Sequence, residues 1–293
     1  MNKNRVCISG INGQLGSAFR DYFVDKAVFC MPFDRALVKS PLPVQVVRKY
    51  LEDNRITTFI HCAANTDVEF CEKNLDKCLE DNVNLTSILT TACTELHVRF
   101  VFVSSTGVYG DYASRPYSEN DLVIPTTNYH RSKVLAENLL ANNKNALILR
   151  VGWLFGRAAS TNKNFILNRL REAKSSDGSI SGDIGQVGNP TYVNDVTRIA
   201  GLLLDNDACG IFNCINSGVT SRYEYVVEIL KLVNSTVTVM PVDSSQFGRS
   251  APVSHNESAV ATRLFSEFGI EVRHWKEALE ECLLSDYVGD VVA

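Results

Sequence analysis

Short apolar runs alternate with amphipathic stretches through the first half of the chain. Arg5–Ser9, Ala27–Met31, Thr58–Cys62, Arg99–Val103 and Ala146–Arg150 are of strand length and are bounded by polar or turn-forming residues. Between them, Leu15–Phe23 and Val44–Leu51 read as helices, and Leu79, Val83, Leu85, Ile88, Leu89, Ala92 and Leu96 approximate the helical period. A further helix is expected after Pro125-Thr126-Thr127. Strand and helix alternating in this way predict an α/β fold, a Rossmann-like doubly wound parallel sheet with right-handed crossovers.

Beyond Gly156 the period loosens. Ser175–Gly188 is rich in Ser, Gly and Asp and is expected to be loop around one short strand. Asn194–Leu204 and Tyr223–Leu232 have the spacing of amphipathic helices, with an apolar strand near Ile211–Ile215 between them. Pro241–Pro252 is a polar connection before expected helices at Ala259–Phe268 and Trp275–Leu284. This pattern predicts a dinucleotide-binding domain over residues 1–156, to which chain from about 192–215 returns. Residues 157–293 then form a smaller α/β substrate-binding lobe.

Composition narrows the classes of function. The 293 residues are 45% hydrophobic and 21% charged, enough for a large core. A formal net charge of -4 without a basic cluster argues against nucleic acid and anionic membranes as partners. No apolar run approaches the length of a membrane span. Met1-Asn2-Lys3-Asn4-Arg5 leads into an expected strand with no secretory features, so a cytoplasmic protein is expected. The nine cysteines form no Cys-x-x-Cys pair, and Cys7, Cys62 and Cys214 fall in apolar runs, as free buried thiols do. Five scattered histidines give no metal-ligand spacing, and no metal is expected.

Three features carry candidate chemistry, and they occur in the order one doubly wound sheet needs. Gly10, Gly13 and Gly16 follow a strand and open a helix. There, glycines let backbone approach a pyrophosphate held at the helix N-terminus. Ser105 is delivered at the carboxyl end of the fourth strand, Arg99–Val103. Tyr129 and Lys133, four apart on a helix, project from one face. A nearby ammonium favours the phenolate, and lowering a phenol by ~3 units needs about 4 kcal/mol. Asp34 closes the second strand where a carboxylate could bind adenosine ribose hydroxyls. Adjacent Arg35 could bind a 2′-phosphate, so NAD and NADP are not separated. Together these features describe a nicotinamide-dependent enzyme acting at a C–O centre.

The chain resembles the extended short-chain dehydrogenase/reductase superfamily, and most closely its dTDP-4-dehydrorhamnose reductase family. The resemblance rests on Gly10 to Gly16, Phe33-Asp34-Arg35, the segment from His61 to Thr66, Val83-Asn84 and Val103-Ser104-Ser105. It extends to Tyr129 with Lys133, Leu149 to Gly156, and Gln186 to Thr191. It implies that Ser105, Tyr129 and Lys133 are catalytic. Tyr129 would protonate the substrate oxygen, Ser105 would orient the carbonyl, and Lys133 would bind the nicotinamide ribose. It implies a dinucleotide held by Gly10, Asn12, Gly13, Gln14, Leu15, Gly16, Asp34, Arg35, Cys62, Ala63, Ala64 and Asn84, together with Tyr129 and Lys133. Ser105, Thr106, Trp153, Thr191 and Arg249 would face a nucleotide-sugar substrate.

The departures from related enzymes also inform the reading. Thr106 and Gly107 replace the Asp-Glu pair of nucleotide-sugar 4,6-dehydratases. Gly107 also stands where enzymes resembling GDP-fucose synthase have a cysteine. The family's Ser-Thr-Asp is Ser104-Ser105-Thr106 here, and its arginine before Pro is displaced to Arg249. The function implied is an NAD(P)H-dependent reductase of a nucleotide-linked 4-keto-6-deoxy sugar. Alternatives are a 4-epimerase retaining NAD and a regulatory subunit resembling the β subunit of methionine adenosyltransferase. A homodimer is left open.

Overall fold

The computed structural model describes residues 4–156 and 164–287. Met1 to Lys3 and residue 157, where the second lobe is expected to begin, lie outside the described residues. In chain order the strands are β1 (Arg5–Ser9), β2 (Phe29–Pro32), β3 (Thr58–His61), β4 (Arg99–Ser105), β5 (Ala146–Val151) and β6 (Trp153–Phe155). They continue with β7 (Ser179–Asp183), β8 (Val187–Gly188), β9 (Pro190–Tyr192), β10 (Gly210–Cys214), β11 (Thr220–Ser221) and β12 (Thr238–Val242). The helices of the first half are α1 (Gln14–Asp25), α2 (Pro43–Asp53), α3 (Val68–Lys73), α4 (Leu75–Leu79), α5 (Leu85–Glu95) and α6 (Asn128–Leu140). Those of the second are α7 (Phe165–Ser175), α8 (Val193–Asp205), α9 (Arg222–Leu232), α10 (Thr262–Phe268) and α11 (Trp275–Asp286).

Six parallel strands form the central sheet in the order β10-β5-β4-β3-β1-β2. Side-chain alternation divides the apolar residues between two cores. Val6, Ile8, Ile60, Val101 and Leu149 face α1 and α8, while Cys7, Phe59, Phe100, Phe102 and Ile148 face α2, α5 and α6. Phe59 stacks on Phe100 with ring centroids 5.7 Å apart. Each such fully buried ring contributes roughly 1.5–3 kcal/mol. The order reverses between β1 and β3, and a crevice opens beyond their carboxyl ends, where ligands of such sheets bind.

The second half holds regular structure that the sequence pattern did not reveal. Helix α7 follows the undescribed segment, and β7 pairs in parallel with β12, from Ser179↔Thr238 to Asp183↔Val242. β7 is the one short strand expected within Ser175–Gly188, whereas β12 was not expected and takes in the first two residues of the polar connection. Their pairing spans about sixty residues, and β7 itself, Ser-Ile-Ser-Gly-Asp, carries little apolar signal. β6 and β9 form another parallel pair, with Trp153 opposite Pro190.

The expected continuous helix around residues 79–96 is interrupted by a wider π-type turn over Glu80–Asn84. That turn changes which asparagine points inward. Asn82 is 2% exposed and donates to Ser132 Oγ at 3.0 Å, whereas Asn84 is exposed. No described helix is long and apolar enough to cross a membrane.

Candidate active site

The crevice begins at the glycine turn. Gly10 has φ +70°, and a Cβ there would lie 2.9 Å from the Ala63 nitrogen. A Cβ at Gly16 would come within 2.1 Å of the Gly10 carbonyl oxygen. These two glycines therefore allow the turn to close. Gly13 differs: a Cβ there would meet only the Gly10 oxygen, at 3.2 Å, so its open side faces the crevice. Gly13 is the N-cap of α1, which has neither a capping side chain nor an acidic residue in its first turn. An uncapped helix N-terminus beside bare backbone suits a pyrophosphate.

The cavity over this turn has a volume of about 480 Å³. Gly10, Gly13, Gln14, Leu15, Gly16, Arg35, Cys62, Ala63, Ala64, Ser105, Tyr129 and Lys133 line it. Asn12, Asp34 and Asn84 do not. Asn12 is exposed, and the Asp34 carboxylate accepts from Ala36 N–H at 2.8 Å, capping its own short 3₁₀ turn. The Arg35 guanidinium pairs with Asp81 at 2.5 Å at the cavity edge. Behind the wall, buried His61 links Ser9 and Thr86, and Ser9 Oγ accepts the Ala63 N–H.

Helix α6 brings Tyr129 and Lys133 to this cavity beside Ser105, which ends β4. Lys133 is 5% exposed, and its ammonium donates to the Val103 carbonyl at 2.9 Å. Burial pulls its pKa down to about 8. The sequence-based expectation was that this ammonium would favour the Tyr129 phenolate. In the structure burial dominates instead and pushes the phenol above its ordinary value, with Cys71, Glu257 and Cys78 adding to the shift. Lys133 Nζ sits 6.0 Å from the centre of the Tyr129 ring, and its hydrogen bond goes to the backbone. Without a ligand, the pair therefore presents a protonated phenol.

A larger cavity, about 690 Å³, shares Ser105 and Thr66 with the first. Trp153 lies in its wall, with Gly188 close against one part of its ring and the Arg222 guanidinium 3.4 Å from the ring centre. The indole N–H donates to Glu257 at 2.7 Å. Arg249 also lines this cavity, as do Lys73, Gln186 and His130. Thr106 and Thr191 do not: both are buried, and Thr191 Oγ1 donates to the Asn189 carbonyl at 3.0 Å and packs beside Gly152. Among the described residues, no group of three His, Cys, Asp or Glu side chains is placed to hold a metal ion.

Comparison with known proteins bears on this arrangement. Residues 4–287 match the family model described as the RmlD substrate binding domain. The chain belongs to this family. It is an oxidoreductase of the extended short-chain dehydrogenase/reductase type, as the resemblance predicted, with a cavity suited to a nicotinamide dinucleotide. It is 32% identical to the spore coat polysaccharide biosynthesis protein SpsK of Bacillus subtilis, over 95% of this chain and 96% of that one. It is 30% identical to a dTDP-4-dehydrorhamnose reductase of Mycobacterium tuberculosis, over 95% and 92% of the two chains. A solved dTDP-4-dehydrorhamnose reductase from Bacillus anthracis, in complex with NADP, superposes with a TM-score of 0.89 at 27% identity. That match covers 96% of this chain and 99% of the other.

Within this RmlD-family chain, sequence reasoning passed over several residues that line the larger cavity. Arg222 falls just before the helix expected at Tyr223–Leu232, and Glu257 falls between the expected polar connection and the helix expected from Ala259. His130 sits between the two recognised residues of α6 and was given no role. A signal for Arg222 was present. A cation at the first position of a helix opposes the helix dipole, so it does not serve the helix.

Proposed function

We propose that the protein is an NAD(P)H-dependent reductase of a nucleotide-linked 4-keto-6-deoxy sugar, of the dTDP-4-dehydrorhamnose type, in nucleotide-sugar or cell-surface polysaccharide biosynthesis. The observation that carries this reading is the meeting at Ser105 of two cavities of different character. One offers bare backbone and a helix N-terminus. The other offers cations without ion-pair partners.

In the larger cavity, Lys73, Arg222 and Arg249 form no ion pair with any described residue. The acids around them are engaged by donors of the chain itself. Asp67 accepts from Phe70 N–H, Glu69 from Ser250 and Ala251 N–H, and Glu257 from the Trp153 indole. Burial draws the Arg222 pKa down to about 10, so it remains charged at neutral pH. A half-buried guanidinium that no carboxylate pairs directly, with Glu257 acting on it only at a distance, suits a site that receives an anion. A sugar joined to a nucleoside diphosphate fits that requirement, with Arg222 and Arg249 facing the phosphates and Trp153 held rigid beside them.

When bound, the reduced nicotinamide would supply a hydride to the carbonyl carbon. Tyr129, kept protonated by burial, donates its proton to the carbonyl oxygen, and Ser105 shares the hydrogen bond to that oxygen. Lys133 places a positive charge beside the phenol and holds the ribose of the dinucleotide. Arg35 lines the cofactor cavity and Asp34 does not, which supports NADP(H) over NAD(H). The test is NADPH and NADH oxidation measured against a panel of nucleotide-linked 4-keto sugars. Turnover is expected with dTDP-linked 4-keto-6-deoxy substrates, and turnover with none of the panel would refute the reading.

A further inference from the structure

We propose that His130 sets the direction of the Ser105 hydroxyl, and that the missing side chain at Gly107 is what admits its ring. The inference rests on the reductase reading, in which Ser105 must donate to a carbonyl oxygen.

The imidazole is buried against the start of the 3₁₀ turn Thr106–Tyr109. A Cβ at residue 107 would lie 2.2 Å from both Cε1 and Nε2 of the ring, so any other residue there would displace it. Gly107 does not have the positive φ that would otherwise call for glycine. The ring explains the glycine. Nε2 lies 3.4 Å from Ser105 Oγ, and Nδ1 lies 3.0 Å from Thr127 Oγ1. The Ser105 contact is long, as hydrogen bonds in unliganded active sites often are. Burial holds the imidazole below its ordinary pKa, so it is neutral near pH 7 and carries one N–H.

The position of that hydrogen decides what Ser105 can do. Thr127 caps α6 by accepting the His130 backbone N–H at 3.2 Å, which leaves its own hydroxyl proton free to donate to Nδ1. Nε2 then bears the hydrogen and donates to Ser105 Oγ. That oxygen already accepts the Gly107 N–H at 3.2 Å. With both acceptor positions filled, the serine's own proton is left for the cavity, where the substrate oxygen would lie. In the opposite tautomer Ser105 would donate to Nε2 and offer the substrate a lone pair, which cannot bind a carbonyl oxygen. His130 is on this account a positioning residue acting through Ser105.

Nitrogen-15 NMR of the histidine side chains in the free protein reads the tautomer directly, and the hydrogen is expected on Nε2. Kinetically, His130→Phe should lower kcat by ~10-fold, about 1.4 kcal/mol, with little change in KM or NADPH affinity. In a Ser105→Ala background the same substitution should have no further effect on kcat. Gly107→Ala should reproduce the loss by displacing the ring, which keeps the test open if His130→Phe folds poorly. A hydrogen on Nδ1, or equal losses with and without Ser105, would overturn the proposal. Should the parent protein reduce no 4-keto sugar, the reductase reading fails, and the tautomer alone decides the His130 assignment.

Discussion

Around the dinucleotide cavity the wall is mostly backbone and small side chains, supplied by the turns that directly follow β1 and β3 and by the carboxyl ends of β4 and β5. On the far side of Ser105 the wall is charged and aromatic, and its residues come from positions as distant in sequence as Thr66 and Glu257. The first wall needs glycine at Gly10 and Gly16 so that the turn can close, and at Gly13 so that a ligand can approach peptide groups. The second needs particular side chains held at particular distances, and each is held by something else: Trp153 by Glu257, Gly188 and Arg222, and Arg222 in turn by Gln186. A backbone-built site tolerates much sequence change outside its turns. A site built from side chains can change specificity by a single substitution.

That contrast can be broken experimentally. The largest effect is expected where the two cavities meet. Tyr129→Phe should lower kcat by ~10²–10⁴-fold, the range for general acid catalysis, while NADPH still binds; near-parent turnover would remove its role. Gly13→Val leaves the turn able to close but fills its open side. It should weaken NADPH by ~10²-fold, the loss of one or two charged hydrogen bonds, and leave dTDP binding intact by calorimetry. Arg222→Gln should do the reverse, weakening dTDP by about 1.5–3 kcal/mol with NADPH unmoved. If both ligands weaken together in either variant, the division into two walls is wrong.

Smaller effects sharpen the picture. Lys133 is charged below its depressed pKa of about 8 and loses its proton above it. The phenol of Tyr129 is pushed upward and does not titrate in that range. For reduction, kcat/KM should therefore be level below about pH 8 and fall as pH rises through it. A rate that climbs across that window would contradict the assignment of Lys133. The smallest effect is expected from Arg249→Ala. This residue is exposed at the rim, so its pairing with a diphosphate is screened and should contribute less than about 1 kcal/mol. An effect exceeding that of Arg222 would place the phosphates at the rim.

Sequence patterning reached the central sheet and the dinucleotide cavity because both are local. An apolar strand, a glycine turn and a helix lie within about twenty residues of one another, and Tyr129 and Lys133 are one helical turn apart. It failed where geometry departs from a regular period or joins distant segments. The π-type turn at Glu80–Asn84 turned Asn82, not Asn84, toward α6. Thr191 shares a segment with residues near the larger cavity, but its hydroxyl is spent against the Asn189 carbonyl. The parallel pairing of β7 with β12 joins segments about sixty residues apart, which no local pattern signals. Arg222 meets Trp153 only after some seventy residues of intervening chain have folded, and no local spacing signals that contact.

A reduced dinucleotide in one cavity is expected to react with a ketone in the other across Ser105 and Tyr129. The most direct test of that reaction uses NADPH carrying deuterium at the transferable position of the nicotinamide C4, with dTDP-4-dehydrorhamnose as substrate and NMR of the sugar product. One deuterium is expected at sugar C4 for each NADPH consumed, with deuterated product formed far more slowly by Tyr129→Phe. A product without deuterium at C4, or no NADPH consumed with this ketone, would contradict it.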